Sequence, residues 1–431
     1  MANVRAIALK ILTRCESAEQ FSNIALDTAI RREEVAEIDR GLLTSLVYGT
    51  LERRLTLDFQ IDALASRTSG IDAETRAILR LGLYQLAYLD RVPDHAAVNE
   101  TVALAPRRAK GFVNAILRAF LRTGKQISYP DKDDDPIGYL SVRYSFLPAL
   151  CEVFADRFGM ERAEELLSAF NEQPPLTLRV NTLRLSRDEY IEKLTAAGFV
   201  AEPTVECSTG IRLQGAPVRG LPDFDTGAVF VQDEASQLCV EALDAKAVMT
   251  VIDVCACPGS KSFGAAIDMQ NTGRVICCDL HRNKLSLVES GAERLGISII
   301  ETFARDARDR NEQWIGTADR VLCDVPCSGF GVFAKKPELR YKDPAKSAGL
   351  PDIQLSILNT ASAYVKAGGL LVYSTCTLLP EENGENVARF LASHPEFSLL
   401  RERTLCPDTD GTDGFYFAVM EKDAIFLSEP S

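Results

Sequence analysis

The chain is poor in histidine. It has three histidines and, among its twelve cysteines, no C-x2-C pair, so a structural zinc site is not expected. No apolar run approaches the roughly eighteen residues needed to cross a bilayer. The opening "MANVRAIALKILTRCESAEQ" interrupts its apolar residues with charge, unlike the core of a signal peptide. Without an export signal the cysteines read as reduced thiols in the cytoplasm. Two glycine fingerprints are also missing. Counting back from Lys261 and Ser262, both glycine positions of a phosphate-binding loop fail, being Ser260 and Cys255. The G-x-G-x-x-G of a dinucleotide site is represented by Gly259 alone, which argues against a nicotinamide-dependent oxidoreductase.

What is present describes a globular, multidomain protein. The 431 residues exceed one ordinary core, so two or three domains are expected. The net charge of −13 is unevenly spread: residues 1–150 hold 20 Lys and Arg against 19 Asp and Glu, the remainder 28 against 42. Residues 101–130 carry Arg107, Arg108, Lys110, Arg118, Arg122 and Lys125 and no acid. Local positive charge, rather than the total, sets attraction to phosphate. By itself the stretch is equally a solvated helix face.

Residues 1–130 read as an all-α domain. Val4, Ile7, Ala8, Ile11 and Leu12 recur at helical spacing, as do Leu79, Leu83 and Leu86, and then Phe112, Val113, Ile116, Leu117 and Phe120. "ISYPDKDDDPIGYLS", with two prolines and a run of acids, marks a linker, assigned to 131–146. Residues 147–235 read as a small α+β module: a helix from Pro148 to about Asn171, a strand in "LTLRVNTLRL", a helix capped by Ser186 with Glu189 three residues on, and a strand in "GIRLQG" (210–215). From 236 to 431, β-rich runs alternate with helix-length segments: "VMTVIDVCA", "RVICCDL", "SIIETFA", "DRVLCDV" and "GGLLVYST". Near-continuous apolar runs of this kind belong to a parallel, doubly wound sheet covered on both faces, and such sheets bind ligands beyond the carboxyl ends of their strands.

"DVCACPGSKS" (253–262) is then a tight strand-to-helix turn whose Pro258 and Gly259 let backbone approach an adenosine-type ligand. Asp279, 24 residues after Cys255, stands where doubly wound folds place an acid on ribose hydroxyls. Asp306, after the third strand, is the corresponding candidate near the base. Either aspartate alone is equally a helix cap. An acid for ribose without a phosphate loop points to a nucleoside cofactor lacking pyrophosphate, and S-adenosylmethionine answers that description.

Two cysteines fall past their strands: Cys327 in "CDVPCSG" and Cys376 in "VYSTCTLLPEEN". Cys277, Cys278 and Cys323 lie inside strand runs and are assigned to the core, where free cysteine commonly packs. Carbon 5 of a pyrimidine is a poor nucleophile until a thiolate adds at carbon 6. An enzyme that methylates it needs a thiol nucleophile, a carboxyl group and a second basic or thiol group around an unstacked base. Cys376, Asp324 and Cys327 supply those types. A helix start at Pro380 would favour the thiolate, whereas Glu381 and Glu382 would oppose it.

These strings resemble the RsmB (Sun/Fmu) branch of RNA 5-methylcytosine methyltransferases over nearly the full length. "VCACPGSK", "LCDVPCSGFGVFAKKPELRYK" and "VYSTCTLLPEENGENV" carry the resemblance, supported by "VQDEASQL" and "GTDGFYFAVMEK". "RGLLTSLVYGTLER", "LRLGLYQLAYLDRVPDHAAVNE" and "FVNAILRAFLR" resemble that branch's NusB-like RNA-binding domain. The resemblance implies a Rossmann-like methyltransferase domain at 236–431, Cys376 as nucleophile and Cys327 assisting later steps and product release. It implies cofactor contacts from Cys255, Ala256, Cys257, Pro258, Gly259, Ser260, Lys261, Asp279, Asp306 and Asp324, the last also facing the cytosine edge. It further implies 16S ribosomal RNA as substrate, gripped by Arg107, Arg108, Lys110, Arg118 and Arg122 and, near the reacting base, by Lys335, Lys336 and Arg340. A monomer acting without metal or membrane is expected. Two residues depart from the usual C-A-A-P-G-G-K: Cys257 is a small apolar exchange, and Ser260 would strain the turn if its position required positive φ.

Overall fold

The computed structural model describes residues 3–16, 22–32, 35–66, 68–214, 218 and 220–424. They form two compact units, one of residues 1–172 with 333–346, the other of 173–332 with 347–431.

The first unit is helical. Its centre is the helix Ala73–Tyr88, started by Asp72, whose carboxylate accepts from the Thr75 N–H at 2.8 Å. Ile78, Leu79, Leu81 and Leu83 are buried on it, and a Cβ at Gly82 would come within 2.8 Å of Leu117 and Thr101. Glycine here lets the helices Asp94–Leu104 and Lys110–Arg122 approach closely. The stretch read as a linker is instead a helix, Pro136–Tyr144: Asp135 caps it by accepting from Gly138 N–H at 2.8 Å, and Pro136 takes the first helical position. Proline and acid here are start signals rather than breakers. The single helix expected over 148–171 is broken by Gly159 at φ 82 into Pro148–Phe158 and Met160–Ala169. Both helices lie in the first compact unit.

Arg340 overturns one expectation. Placed by its sequence at an RNA surface, it is fully buried. Its guanidinium donates to the carbonyls of Phe170 (2.7 Å), Tyr144 (3.3 Å) and Glu52 (3.4 Å) and to the Asn171 side chain, and it lies over the Phe146 ring at 4.7 Å. Phe333 packs beside it against Phe146 and Phe170 at 5.0 and 4.9 Å between ring centroids. Arg340 therefore anchors segment 333–346 within the helical unit and offers no charge to solvent.

The second unit holds two sheets. A four-stranded antiparallel sheet, ordered β2-β3-β1-β4, is built from β1 (Leu176–Val180), β2 (Ala201–Pro203), β3 (Gly210–Leu213) and β4 (Val229–Val231). Gly215, at the end of the expected strand 210–215, lies outside the described residues. The helix Arg187–Ala196 carries the anticipated capping box between Ser186 and Glu189.

The larger sheet has seven strands: β5 (Thr250–Asp253), β6 (Arg274–Asp279), β7 (Ile300–Ala304), β8 (Ala318–Asp324), β9 (Val365–Thr375), β10 (Phe397–Leu405) and β11 (Phe415–Lys422), ordered β10-β11-β9-β8-β5-β6-β7. The five strands β9-β8-β5-β6-β7 are parallel as expected, but β11 runs antiparallel between β9 and β10, so the sheet is mixed. Chain order reverses between β5 and β8, which makes their carboxyl ends the switch point where such sheets bind ligands.

Candidate active site and cofactor cleft

At the end of β5, Asp253 is buried and accepts from Ser262 Oγ at 2.6 Å and from the Cys255 N–H at 3.2 Å. Burial pushes its carboxyl up to about 7. The turn then enters the helix Ser260–Asp268 through Gly259 at φ 111, and a Cβ there would meet the Phe263 ring at 2.5 Å. The positive φ falls on Gly259 and not on Ser260, so the serine is unstrained. The Ser260 carbonyl accepts from Gln232 Nε2 at 3.1 Å, which ties "VQDEASQL" to this turn. Burial first, then the neighbouring Asp279 carboxylate, raises the Cys257 thiol to about 12 and keeps it neutral.

At the end of β6, one Asp279 oxygen accepts from the His281 N–H at 2.8 Å. Asp306, after β7, is gripped by the Arg308 guanidinium at 2.6 Å and by its N–H at 2.9 Å, and these bonds hold its carboxyl down at about 2. A turn that passes through Gly259 into a helix start, with acids on the next two strand ends, fits an adenosine-type cofactor: Cys255 to Lys261 would lie along it, with Asp279 at the ribose and Asp306 toward the base.

Asp324, at the end of β8, accepts from Lys261 Nζ at 2.7 Å on one oxygen and from Ser374 Oγ at 2.8 Å on the other. Lys261 is 8% exposed and 5.1 Å from the centre of the Phe415 ring. Burial alone would lower its ammonium; the Asp324 carboxylate outweighs that and holds it above the ordinary lysine value. Beyond Asp324, the sulfurs of Cys327 and Cys376 stand 3.1 Å apart, both half-buried, and the Cys376 N–H donates to Cys327 Sγ at 3.3 Å. Cys277, Cys278 and Cys323 are buried in strands, as expected. Sequence reasoning missed Ser374, which orients Asp324, and Asn383, whose Nδ2 donates to the Thr377 carbonyl at 2.9 Å. Their signal was their place in the Cys376 motif, "VYSTCTLLPEEN".

In the helical unit Arg107, Arg108, Lys110, Arg118 and Arg122 are exposed. Arg108 pairs with Asp72 at 3.2 Å, and the half-buried Lys125 pairs with Asp94 at 2.5 Å. Lys336 is exposed and Lys335 half-buried. Among the described residues no His, Cys, Asp and Glu cluster could hold a metal, and no helix is long and apolar enough to cross a membrane.

A Rossmann-like sheet with this turn and these strand-end acids defines the chain as an S-adenosylmethionine-dependent methyltransferase. Residues 240–421 match the family described as 16S rRNA methyltransferase RsmB/F, residues 2–122 the NusB family, and residues 150–219 the ferredoxin-like domain of RsmF/B-like methyltransferases. The chain is 38% identical to the probable ribosomal RNA small subunit methyltransferase B of Bacillus subtilis, over 97% of this chain and 99% of that protein. It is 34% identical to the ribosomal RNA small subunit methyltransferase B of Pseudomonas putida, over 98% and 99%. The crystal structure of PH0851 superimposes with a TM-score of 0.82 at 26% identity, covering 97% of this chain and 98% of that one. The chain belongs to the ribosomal RNA small subunit methyltransferase B family. Its activity is S-adenosylmethionine-dependent methylation of ribosomal RNA.

Proposed function

We propose that the chain methylates carbon 5 of a cytosine in 16S ribosomal RNA through a covalent bond between Cys376 and carbon 6 of that base. The observation that carries this reading is the half-buried sulfur pair, 3.1 Å apart, just past the strand end that bears Asp324. When bound, S-adenosylmethionine supplies an electrophilic methyl group. Cys376, as thiolate, adds to carbon 6 and makes carbon 5 nucleophilic. Asp324, fixed by Lys261 and Ser374, meets the edge of the base at ring nitrogen 3. Once water, as base, has taken the carbon 5 proton, the Cys376 sulfur leaves carbon 6 as thiolate, and Cys327 assists that elimination and the release of the product. The exposed Arg107, Arg108, Lys110, Arg118 and Arg122, with Lys335 and Lys336, hold RNA phosphates.

Cys376→Ala is expected to abolish methyl transfer while leaving cofactor affinity intact by calorimetry. Cys327→Ala should let a protein–RNA adduct accumulate that survives denaturing electrophoresis. Retained activity in the first variant, or absence of the adduct in the second, would overturn these roles. Mapping 5-methylcytosine in 16S ribosomal RNA with and without the protein tests the substrate.

A further inference from the structure

The sheet stops holding the backbone just before Cys327. β8 bonds to β9 as far as the Val325 N–H, which donates to the Ser374 carbonyl at 3.1 Å. Beyond it, the backbone groups on either side of Cys327 bond to side chains. The carbonyl of Pro326, the residue before, accepts from Gln354 Nε2 at 2.9 Å. The N–H of Ser328, the residue after, donates to Glu382 Oε2 at 2.9 Å. The same Gln354 nitrogen donates to that Glu382 oxygen at 2.7 Å. One amide therefore holds Pro326 directly and Ser328 through Glu382, with Cys327 between them.

Gln354 comes from outside both cysteine loops, on the helix Leu350–Ser362, and is fully buried. Its Oε1 accepts from Asn386 Nδ2 at 3.4 Å, while its nitrogen faces a carbonyl and a carboxylate that both require a donor. The amide can therefore sit only one way round. Glu382 ends the short 3-10 turn Pro380–Glu382 that follows Cys376. The two loops also meet directly. Ser328 Oγ donates to the hydroxyl of Thr377, the residue after Cys376, at 2.8 Å, and Gly331 pairs with Thr377 in an isolated antiparallel bridge. A Cβ on Gly331 would come within 2.9 Å of the Cys376 carbonyl, so only glycine permits this approach. The loops are thus held in one register, and the sulfurs meet at 3.1 Å.

We propose that Gln354 is a positioning residue for product release: by holding Pro326 and, through Glu382, Ser328, it keeps Cys327 beside Cys376 while the nucleophile leaves the base. The inference rests on Cys327 assisting release. The bond whose breaking depends on Gln354 is the one between Cys376 Sγ and carbon 6, after the methyl group has been transferred. Addition and methyl transfer use Cys376 and Asp324, the latter held by Lys261 and Ser374 instead.

The test uses the full chain, 16S ribosomal RNA and S-adenosylmethionine carrying a radiolabelled methyl group. With enzyme in excess, Gln354→Met should transfer its first methyl group at a rate within about twofold of the wild type. Under turnover its kcat should fall about tenfold, because Cys327 is displaced rather than removed. A labelled protein–RNA adduct should then survive denaturing electrophoresis. Gln354→Asn keeps a buried amide but is too short to reach both acceptors. It should show the same split to a smaller degree, and it carries the test if the methionine variant does not fold. Adding Gln354→Met to Cys327→Ala should trap no more adduct than Cys327→Ala alone, since the amide acts through that residue. A merely architectural role would slow the first turnover and kcat by the same factor. That result, absence of the adduct in the Gln354 variants, or additive trapping in the double variant overturns the proposal. If Cys327→Ala traps adduct and the Gln354 variants do not, the positioning role alone fails. If Cys327→Ala traps none, the reading beneath it fails as well.

Discussion

The end of the seven-stranded sheet and the wedge 333–346 in the helical unit each bury a cation, and the two are held in opposite ways. Lys261 faces a carboxylate, Asp324, which keeps its ammonium charged despite burial. Arg340 faces backbone carbonyls and an amide, and burial lowers its guanidinium to about 10. A buried charge with a counter-charge is suited to chemistry, because it fixes the field at a reacting group. A buried charge satisfied by neutral acceptors works as a many-armed staple, and its removal is felt as lost stability.

The sharpest way to break this contrast is Lys261→Met. It leaves Asp324 at the cleft without its cation, and breaking a buried pair on one side costs on the order of 3–5 kcal/mol. On the proposed mechanism Asp324 meets the base, so methyl transfer should fall by about a hundredfold or more when the group that fixes its charge and position is removed. A variant turning over at the wild-type rate would show that the Lys261–Asp324 pair is only architectural.

Arg340→Met should behave the other way. It strands the Phe170 carbonyl and leaves that of Tyr144 with Asn171 Nδ2 as its remaining donor at 3.0 Å, and the helical unit should lose on the order of 3 kcal/mol, read as an earlier denaturation midpoint. The rate constant per folded molecule should stay within about twofold, because on the linkage of stability to population only the folded fraction changes. A normal midpoint with weakened RNA binding would restore Arg340 to the surface role its sequence context suggested.

That context shows where sequence reading reaches and where it stops. The strand ends were legible because β5, β6, β8 and β9 are apolar runs followed by small or acidic residues, and burial on both faces imposes that pattern. β10 was not, since it lies at a sheet edge with only Phe397 and Leu405 buried, so its apolar residues follow no strand period. "FYFAVMEK" was noticed as a motif, yet nothing local tells a strand its direction, so the antiparallel β11 was unreadable. Cys327 and Cys376 could be nominated from their loops, whereas their 3.1 Å approach depends on the pairing of β8 with β9 across 49 residues. Arg340 sits in a lysine-rich string that looks solvent-facing. Its burial is decided by Phe146 and Phe170, which lie far away in sequence.

Asp253 offers the smallest effect per step of the experiment, a slope in pH, and a clean sign. Its folded carboxyl titrates near 7 because of burial, against about 3.9 in an unfolded chain. Between those values the native state holds a proton that the unfolded state has released. The stability this contributes is fully present below about pH 4 and is lost as pH rises toward 7. Asp253→Asn keeps an acceptor for Ser262 and removes the titration, so its stability should fall less steeply with pH in that window, by up to about 1.4 kcal/mol per pH unit. Chemical denaturation at closely spaced pH values measures the slope. Identical slopes would mean that water reaches Asp253 freely, and the end of β5 would then be an open site rather than the dry floor beneath the cofactor turn.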